Sequence, residues 1–115
     1  MSANSNITDL YERIRKELFY MIPEKWERIY LYASVVQREN NRETGEMFFY
    51  YFPKSLIKKN PVNVYQVPQR FNIDENEYIK IANRLYEMIK KLRKYCIKYE
   101  ENDWSNITII VRDTN

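Results

Sequence analysis

The sequence predicts an α+β fold in which a mostly antiparallel sheet packs against an N-terminal helix and a long second helix. Three observations carry that expectation. Apolar residues recur at spacings of three, four and seven from Ile7 to Met21 and again from Tyr78 to Tyr99, as they do in a helix with one side in a core. Residues 26–36, 46–52 and 104–112 are rich in aromatic and β-branched side chains, the composition of strands. The length of 115 residues, 44% hydrophobic and 30% charged, suits one soluble domain, residues 1–115, built on a single core.

In the first helix Ile7, Leu10, Tyr11, Ile14 and Leu18 share a side, with Asp9, Glu12, Arg13, Lys16 and Glu17 largely opposite, and Pro23 ends it. The run WERIYLYASVV follows. If extended, it places Ile29, Leu31, Ala33 and Val35 on one face and Trp26, Tyr30, Tyr32 and Val36 on the other. Neither face is plainly polar, so the run fits either a strand covered on both sides or one whose tyrosine face awaits a protein partner. EMFFYYF at 46–52 reads as its hairpin mate across the polar connection RENNRETG, where Gly45, the only glycine, is expected to supply a positive φ.

Pro53, Pro61 and Pro68 are expected to break up any helix between residues 53 and 72, leaving a loop and one short or edge strand around Val62–Val67. Asp74 with Glu77 three residues on, flanked by Ile73 and Tyr78, reads as a capping box with a hydrophobic staple. The stripe Tyr78, Ile81, Ala82, Leu85, Ile89, Leu92, Cys96 and Tyr99 then continues for about seven helical turns, enough to cover a sheet. WSNITIIVRD alternates Ile107, Ile109 and Val111 against Asn106, Thr108, Ile110 and Arg112, the pattern of a half-buried strand.

The chemistry of turnover has little to work with. There is no histidine, which removes most metal sites and acid–base dyads. One glycine cannot build a phosphate-cradling loop, and the lone Cys96 has no internal disulfide partner. Acidic residues fall on caps, wet helix faces and turns. Glu77 and Lys80 in ENEYIK are the one faint trace of a magnesium-dependent nuclease, and Glu77 already has a capping role. No enzyme, cofactor or metal is therefore expected. No apolar run approaches the roughly 20 residues that cross a bilayer, and MSANSNITDLYERIRKELF has no apolar h-region followed by a small-residue cleavage site, so the expected location is cytoplasmic, with no membrane partner. The net charge of +3 is mild, and its basic clusters are KKNP at 58–61 and KKLRKYCIK at 90–98. The alternative function they support is a nucleic-acid-binding regulatory protein that uses the lysine-rich helix face of Lys90, Lys91, Lys94 and Lys98 and binds in a strongly salt-dependent way. Lysines in the last turns of a helix also complement its dipole, so no direct nucleic-acid binding is expected.

Read together, MIPEKWERIYLYASVV, GEMFFYYFPK, VPQRFNIDENEY and WSNITIIV resemble the YezG family of antitoxin or immunity proteins, in the family's order and from about Ile7 to Val111. The resemblance implies a small cytosolic protein that binds and inhibits a cognate nuclease toxin, typically the C-terminal domain of an LXG-type or related toxin exported by the type VII secretion system of Gram-positive bacteria. Members usually continue past the tryptophan-led strand with a further β segment, whereas this chain stops at RDTN, so a truncated or short version lacking an edge strand is expected. The segment KSLIKKNPVNVYQ varies between members and leaves partner specificity open.

An inhibitor needs aromatic anchors and complementary charge rather than a reaction. The candidate partner-binding residues are Tyr30 and Tyr32 on the first strand, Phe48 and Tyr50 on the second, and the connection at 38–45. Glu39, Glu43 and Glu46 are expected to face a basic cleft of the toxin, unless inhibition displaces part of the toxin fold. The 11 tyrosines and five phenylalanines exceed what a core of this size needs. A homo-oligomer built through the tyrosine face stays open as well.

Overall fold

The N-terminal pattern forms helix α1 (Ala3–Met21), whose buried side is Ile7, Leu10, Ile14, Leu18 and Met21. Past Pro23 the chain enters strand β1 (Trp26–Ser34). The short strands β2 (Val36–Gln37) and β3 (Glu43–Thr44) pair with each other in the connection, and β4 (Met47–Pro53) returns beside β1. β5 (Val62–Asn63) follows, then the short helix α2 (Val67–Phe71), the long helix α3 (Glu75–Glu100) and β6 (Asn106–Arg112). The computed structural model describes residues 3–57, 60–100 and 103–113. Lys58 and Lys59 of the KKNP cluster and the last two residues of RDTN lie outside them.

β1 is central in a four-stranded sheet of order β5-β4-β1-β6, and every pairing is antiparallel. Its register builds the core. Leu31 lies between Phe49 and Ile109, Ile29 between Tyr51 and Val111, and Ala33 between Met47 and Ile107. Ile29, Leu31, Ala33 and Tyr51 are wholly buried. Each large apolar side chain so placed contributes roughly 1.5–3 kcal/mol by leaving water. α1 and α3 pack against each other, joined at the surface by Arg84 donating to Glu17 at 2.5 and 2.9 Å. Their apolar stripes and the inward residues of the sheet form one core cluster.

The long helix starts where its cap predicts. The Asp74 carboxylate accepts the Glu77 backbone N–H at 3.0 Å, satisfying one of the free donors of the first turn. Asn72, in the left-handed region at φ 55°, closes α2, and the Ile73 N–H returns to the Pro68 carbonyl at 2.9 Å. The buried stripe of α3 is Tyr78, Ala82, Leu85, Met88, Ile89, Leu92 and Cys96.

Trp26 lies against Phe19 of α1, 5.2 Å between ring centroids, and packs on the core rather than joining the tyrosine face; four further expectations need correction. Tyr99 is exposed and Met88 takes a place in the core instead; the Tyr99 ring stacks on Tyr95, 5.8 Å away on the surface. Pro68 does not prevent a helix but sits in the first turn of α2, where the missing N–H costs nothing because that group has no partner inside the helix. Val36 leaves the β1 face: the chain bends after Ser34, the Val35 N–H bonds the Ser105 carbonyl at 2.8 Å, and Val36 pairs with Thr44 in the small hairpin.

Gly45 is the fourth. Its φ is not positive; the left-handed positions of the connection are Asn40 and Asn41, at φ 63° and 61°. The reason for glycine is close approach. A Cβ there would overlap the Ser34 carbonyl oxygen and the Tyr86 hydroxyl, and would stand 2.7 Å from the Ser34 carbonyl carbon. Tyr86 Oη donates to that same carbonyl at 2.7 Å, and the Ser34 N–H bonds the Glu46 carbonyl at 2.9 Å. Gly45→Ala is therefore expected to lower unfolding stability by about 1–3 kcal/mol, measured by denaturant titration. Gly45→Asn should be no milder, because the obstacle is backbone rather than φ; rescue by Asn would restore the positive-φ account.

Candidate functional site

Strand alternation that sends Ile29, Leu31 and Ala33 inward sends Arg28, Tyr30 and Tyr32 to the other face of the sheet. The same register assembles three cross-strand rows there. Phe48, Tyr32 and Thr108 form the first, Tyr50, Tyr30 and Ile110 the second, and Phe52, Arg28 and Arg112 the third. Asn63 of β5 extends the middle row beside Tyr50. This face carries no covering layer among the described residues: Tyr32 is 37%, Phe48 47%, Tyr50 38% and Ile110 49% exposed. Among the described residues, β1 is therefore buried on one side only.

The rings are held by one another. Tyr30 and Tyr50 stack at 5.6 Å between centroids, Tyr32 and Phe48 lie 6.2 Å apart, and Tyr30 meets the edge of Phe52 at 5.8 Å. The Arg28 guanidinium lies over the Phe52 ring at 4.3 Å, and its Nη1 donates to the Tyr30 hydroxyl at 3.4 Å. Cross-strand aromatic pairs of this kind each add roughly 0.2–1 kcal/mol and fix side-chain geometry in advance of any contact.

Of the seven residues singled out from the sequence, Tyr30, Tyr32, Phe48 and Tyr50 share this face. Glu39 and Glu46 are exposed in the connection at the Phe48 end. Glu43 is turned inward. Its carboxylate is mostly buried, 4.0 Å from both the Arg93 and the Lys94 side chains, and Oε2 has no hydrogen-bond partner. Arg93 was not anticipated. Only 7% exposed, it donates from Nε to the Trp104 carbonyl at 2.8 Å and from Nη2 to Asp103 at 3.0 Å, tying the approach to β6 onto α3. Its position four residues after Ile89 and three before Cys96 was the available signal.

The rival sites are partly occupied within the fold. Lys90 pairs with Glu87 at 2.8 Å, which raises its pKa, and also lies over the Tyr86 ring; Lys98 lies over Tyr99 at 5.1 Å. Lys91 is exposed. Glu77 and Lys80 pair with each other at 3.2 Å on the surface. Among the described residues no group of three or more His, Cys, Asp or Glu side chains is placed to hold a metal ion, and no helix is long and apolar enough to cross a membrane.

Other tyrosines serve the interior. Tyr51 Oη donates to Glu24 at 2.5 Å, and Tyr78 Oη to the Met21 carbonyl at 2.8 Å. Burial holds the hydroxyls of Tyr51, Tyr78 and Tyr86 above the ordinary tyrosine value of 10.0, with the Glu24 contact adding to the effect at Tyr51. A pKa raised on folding means that the native state keeps protons which the unfolded chain releases, so stability is complete below about pH 10 and is lost as pH rises beyond it. Denaturant titrations from pH 8 upward should show that loss, and Tyr51→Phe should make it shallower. An unchanged slope would mean that Tyr51 does not contribute.

Comparison with known proteins adds a second line of observation. A family model described as immunity protein YezG-like matches residues 7–114. The chain is similar to the immunity protein YezG of Bacillus spizizenii, 31% identical over 102 residues, covering 88% of this chain and 58% of that protein. It is 26% identical over 101 residues to the immunity protein YezG of Bacillus subtilis, covering 88% and 62%. It is also 24% identical over 107 residues to the type VII secretion system protein EsaG of Staphylococcus aureus, covering 92% and 61%. The chain spans less than two thirds of the length of these relatives.

Proposed function

Because the chain belongs to the YezG-like family of immunity proteins, we propose that it acts in the cytoplasm by binding and neutralising a cognate toxin, and that the uncovered aromatic face of its sheet is the binding surface. The observation that carries this reading is the assembly of Tyr30, Tyr32, Phe48 and Tyr50 on one face of the central strands, which no described residue covers. The names of its relatives point the same way: two are immunity proteins and a third is a type VII secretion system protein. The toxin is an exported nuclease on this reading, a choice that rests on the family resemblance, and the protein itself performs no reaction.

The face suits that role physically. Stacked rings on paired strands are already ordered, so little side-chain entropy is lost when a partner covers them. Three strands and three rows occupy about 300 Å² of sheet at ordinary strand spacings. A stable interface covers about 800 Å² on each partner. The contact must therefore spread beyond the rows. The exposed connection with Glu39 and Glu46 adjoins them at one end, and at the other β4 leads into the loop that carries the exposed Leu56 and Ile57.

The test uses as probe the C-terminal domain of a toxin whose gene adjoins that of this chain. Saturating protein should abolish its nuclease activity, and undiminished cleavage would end the proposal. Tyr30→Ala combined with Tyr50→Ala should weaken binding at least tenfold while the protein stays folded by circular dichroism. Unchanged affinity would place the interface elsewhere. Substituting Lys90, Lys91, Lys94 and Lys98 should leave toxin binding intact, whereas a nucleic-acid regulator would lose salt-dependent oligonucleotide affinity instead.

A further inference from the structure

The charge on the aromatic face is of one sign. Across the three rows the only ionised side chains are Arg28 and Arg112, which are direct register partners at the end of β1 and β6. Like charges placed opposite each other across strands destabilise a sheet, and among the described residues no carboxylate pairs with either arginine. Arg28 is engaged by the Phe52 and Tyr30 rings and by the Tyr30 hydroxyl, none of them anionic. Arg112 is exposed and forms no ion pair among the described residues.

Among the described residues, the carboxylates near this end have other contacts or stand apart from the arginines. Glu24 accepts from Tyr51, and Asp113 is 3.5 Å from Lys54. Glu27 is exposed beside the irregularity in β1 and bridges to neither arginine. Two arginines opposite each other in the register, the guanidinium of one held by rings, supply several N–H donors in planar forks, the kind of donor set a carboxylate matches. The neighbouring row of Tyr50, Tyr30 and Ile110 offers an apolar seat alongside.

We propose that Arg28 and Arg112 receive an aspartate or glutamate side chain of the bound toxin, next to an apolar side chain of the same toxin segment seated on Tyr30, Tyr50 and Ile110. The inference rests on the proposed toxin-binding function and deepens it. It also reverses the polarity expected from the sequence at this end of the interface, since here the immunity protein supplies the cations and the toxin the anion.

Arg112 is the cleaner residue to test, because Arg28 also packs on Phe52. With the toxin domain as probe, Arg112→Glu should weaken binding by about tenfold to a hundredfold, the range measured for close interfacial charge pairs at its lower end. Arg112→Gln should weaken it less and reduce the dependence of affinity on salt. Tyr32→Ala, whose ring contact is with Phe48, should weaken binding without changing that salt dependence. Replacing surface Asp and Glu residues of the toxin by Lys, one at a time, should identify a position that restores affinity to Arg112→Glu. If the wild-type protein binds the toxin and Arg112→Glu binds equally well, the carboxylate contact is wrong while the toxin-binding function stands. If the wild-type protein does not bind the toxin, both fall together.

Discussion

The alternation of side chains along β1 is the constraint on which the remaining structure depends. Ile29, Leu31 and Ala33 have no exposed surface, and because β1 has a strand on each side their positions dictate which residues of β4 and β6 face inward. A slip of one residue in either pairing would send Phe49 or Ile109 to solvent and bring Phe48 or Ile110 into the core. Burial of the inner rows therefore fixes the outer rows as well. The aromatic surface is a by-product of a register that the core enforces, which explains how rings that no described residue covers come to be held in defined positions.

A second set of contacts prevents the strands from sliding over the helices. Tyr86 of α3 reaches the Ser34 carbonyl where β1 ends, Gly45 lets β4 begin against the same carbonyl, and Arg93 one helical stretch further on holds Trp104 and Asp103 before β6. The Tyr86 and Arg93 contacts each join α3 to a strand terminus. A buried guanidinium is costly unless its donors are met, and here the Trp104 carbonyl and Asp103 meet them directly while Glu43 adds charge at 4.0 Å. Glu43, which looked like a surface acid, is thereby drawn into fixing the small hairpin.

What the sequence disclosed and what it concealed divide along physical lines. The periodicities of α1, β1, β4, α3 and β6 are local, and they revealed those elements, the core faces and the four aromatic residues now found together. Asp74 was legible because a cap needs only its next few residues. Gly45 was misread because the atoms that exclude a Cβ belong to Ser34 and Tyr86, distant in the chain. The pairing of Arg28 with Arg112 needed the strand register, and the tethering of Arg93 needed the chain reversal after α3. Tyr99 fitted the helical stripe, yet the core does not extend to the last turn of α3. Periodicity reports the direction of a side chain and is silent about how far the neighbouring layer reaches.

Tyrosine shows why composition alone could not locate a surface. Three of these residues, Tyr51, Tyr78 and Tyr86, place the hydroxyl on Glu24, the Met21 carbonyl and the Ser34 carbonyl, and so make an interior tolerable for a polar tip. Tyr32 and Tyr50 present ring and hydroxyl outward on the sheet, where water serves instead. The same chemistry that fits the first group to a core sets a requirement on whatever covers the second. A partner that removes water from these rings gains from their apolar area, but each hydroxyl left without a hydrogen bond would cost about 1–3 kcal/mol. An apolar surface alone is therefore a poor complement to this face. On the proposed reading, a partner has to supply polar atoms at the ring tips as well as apolar groups between them, and that double demand would discriminate between candidate partners where a purely hydrophobic patch would not.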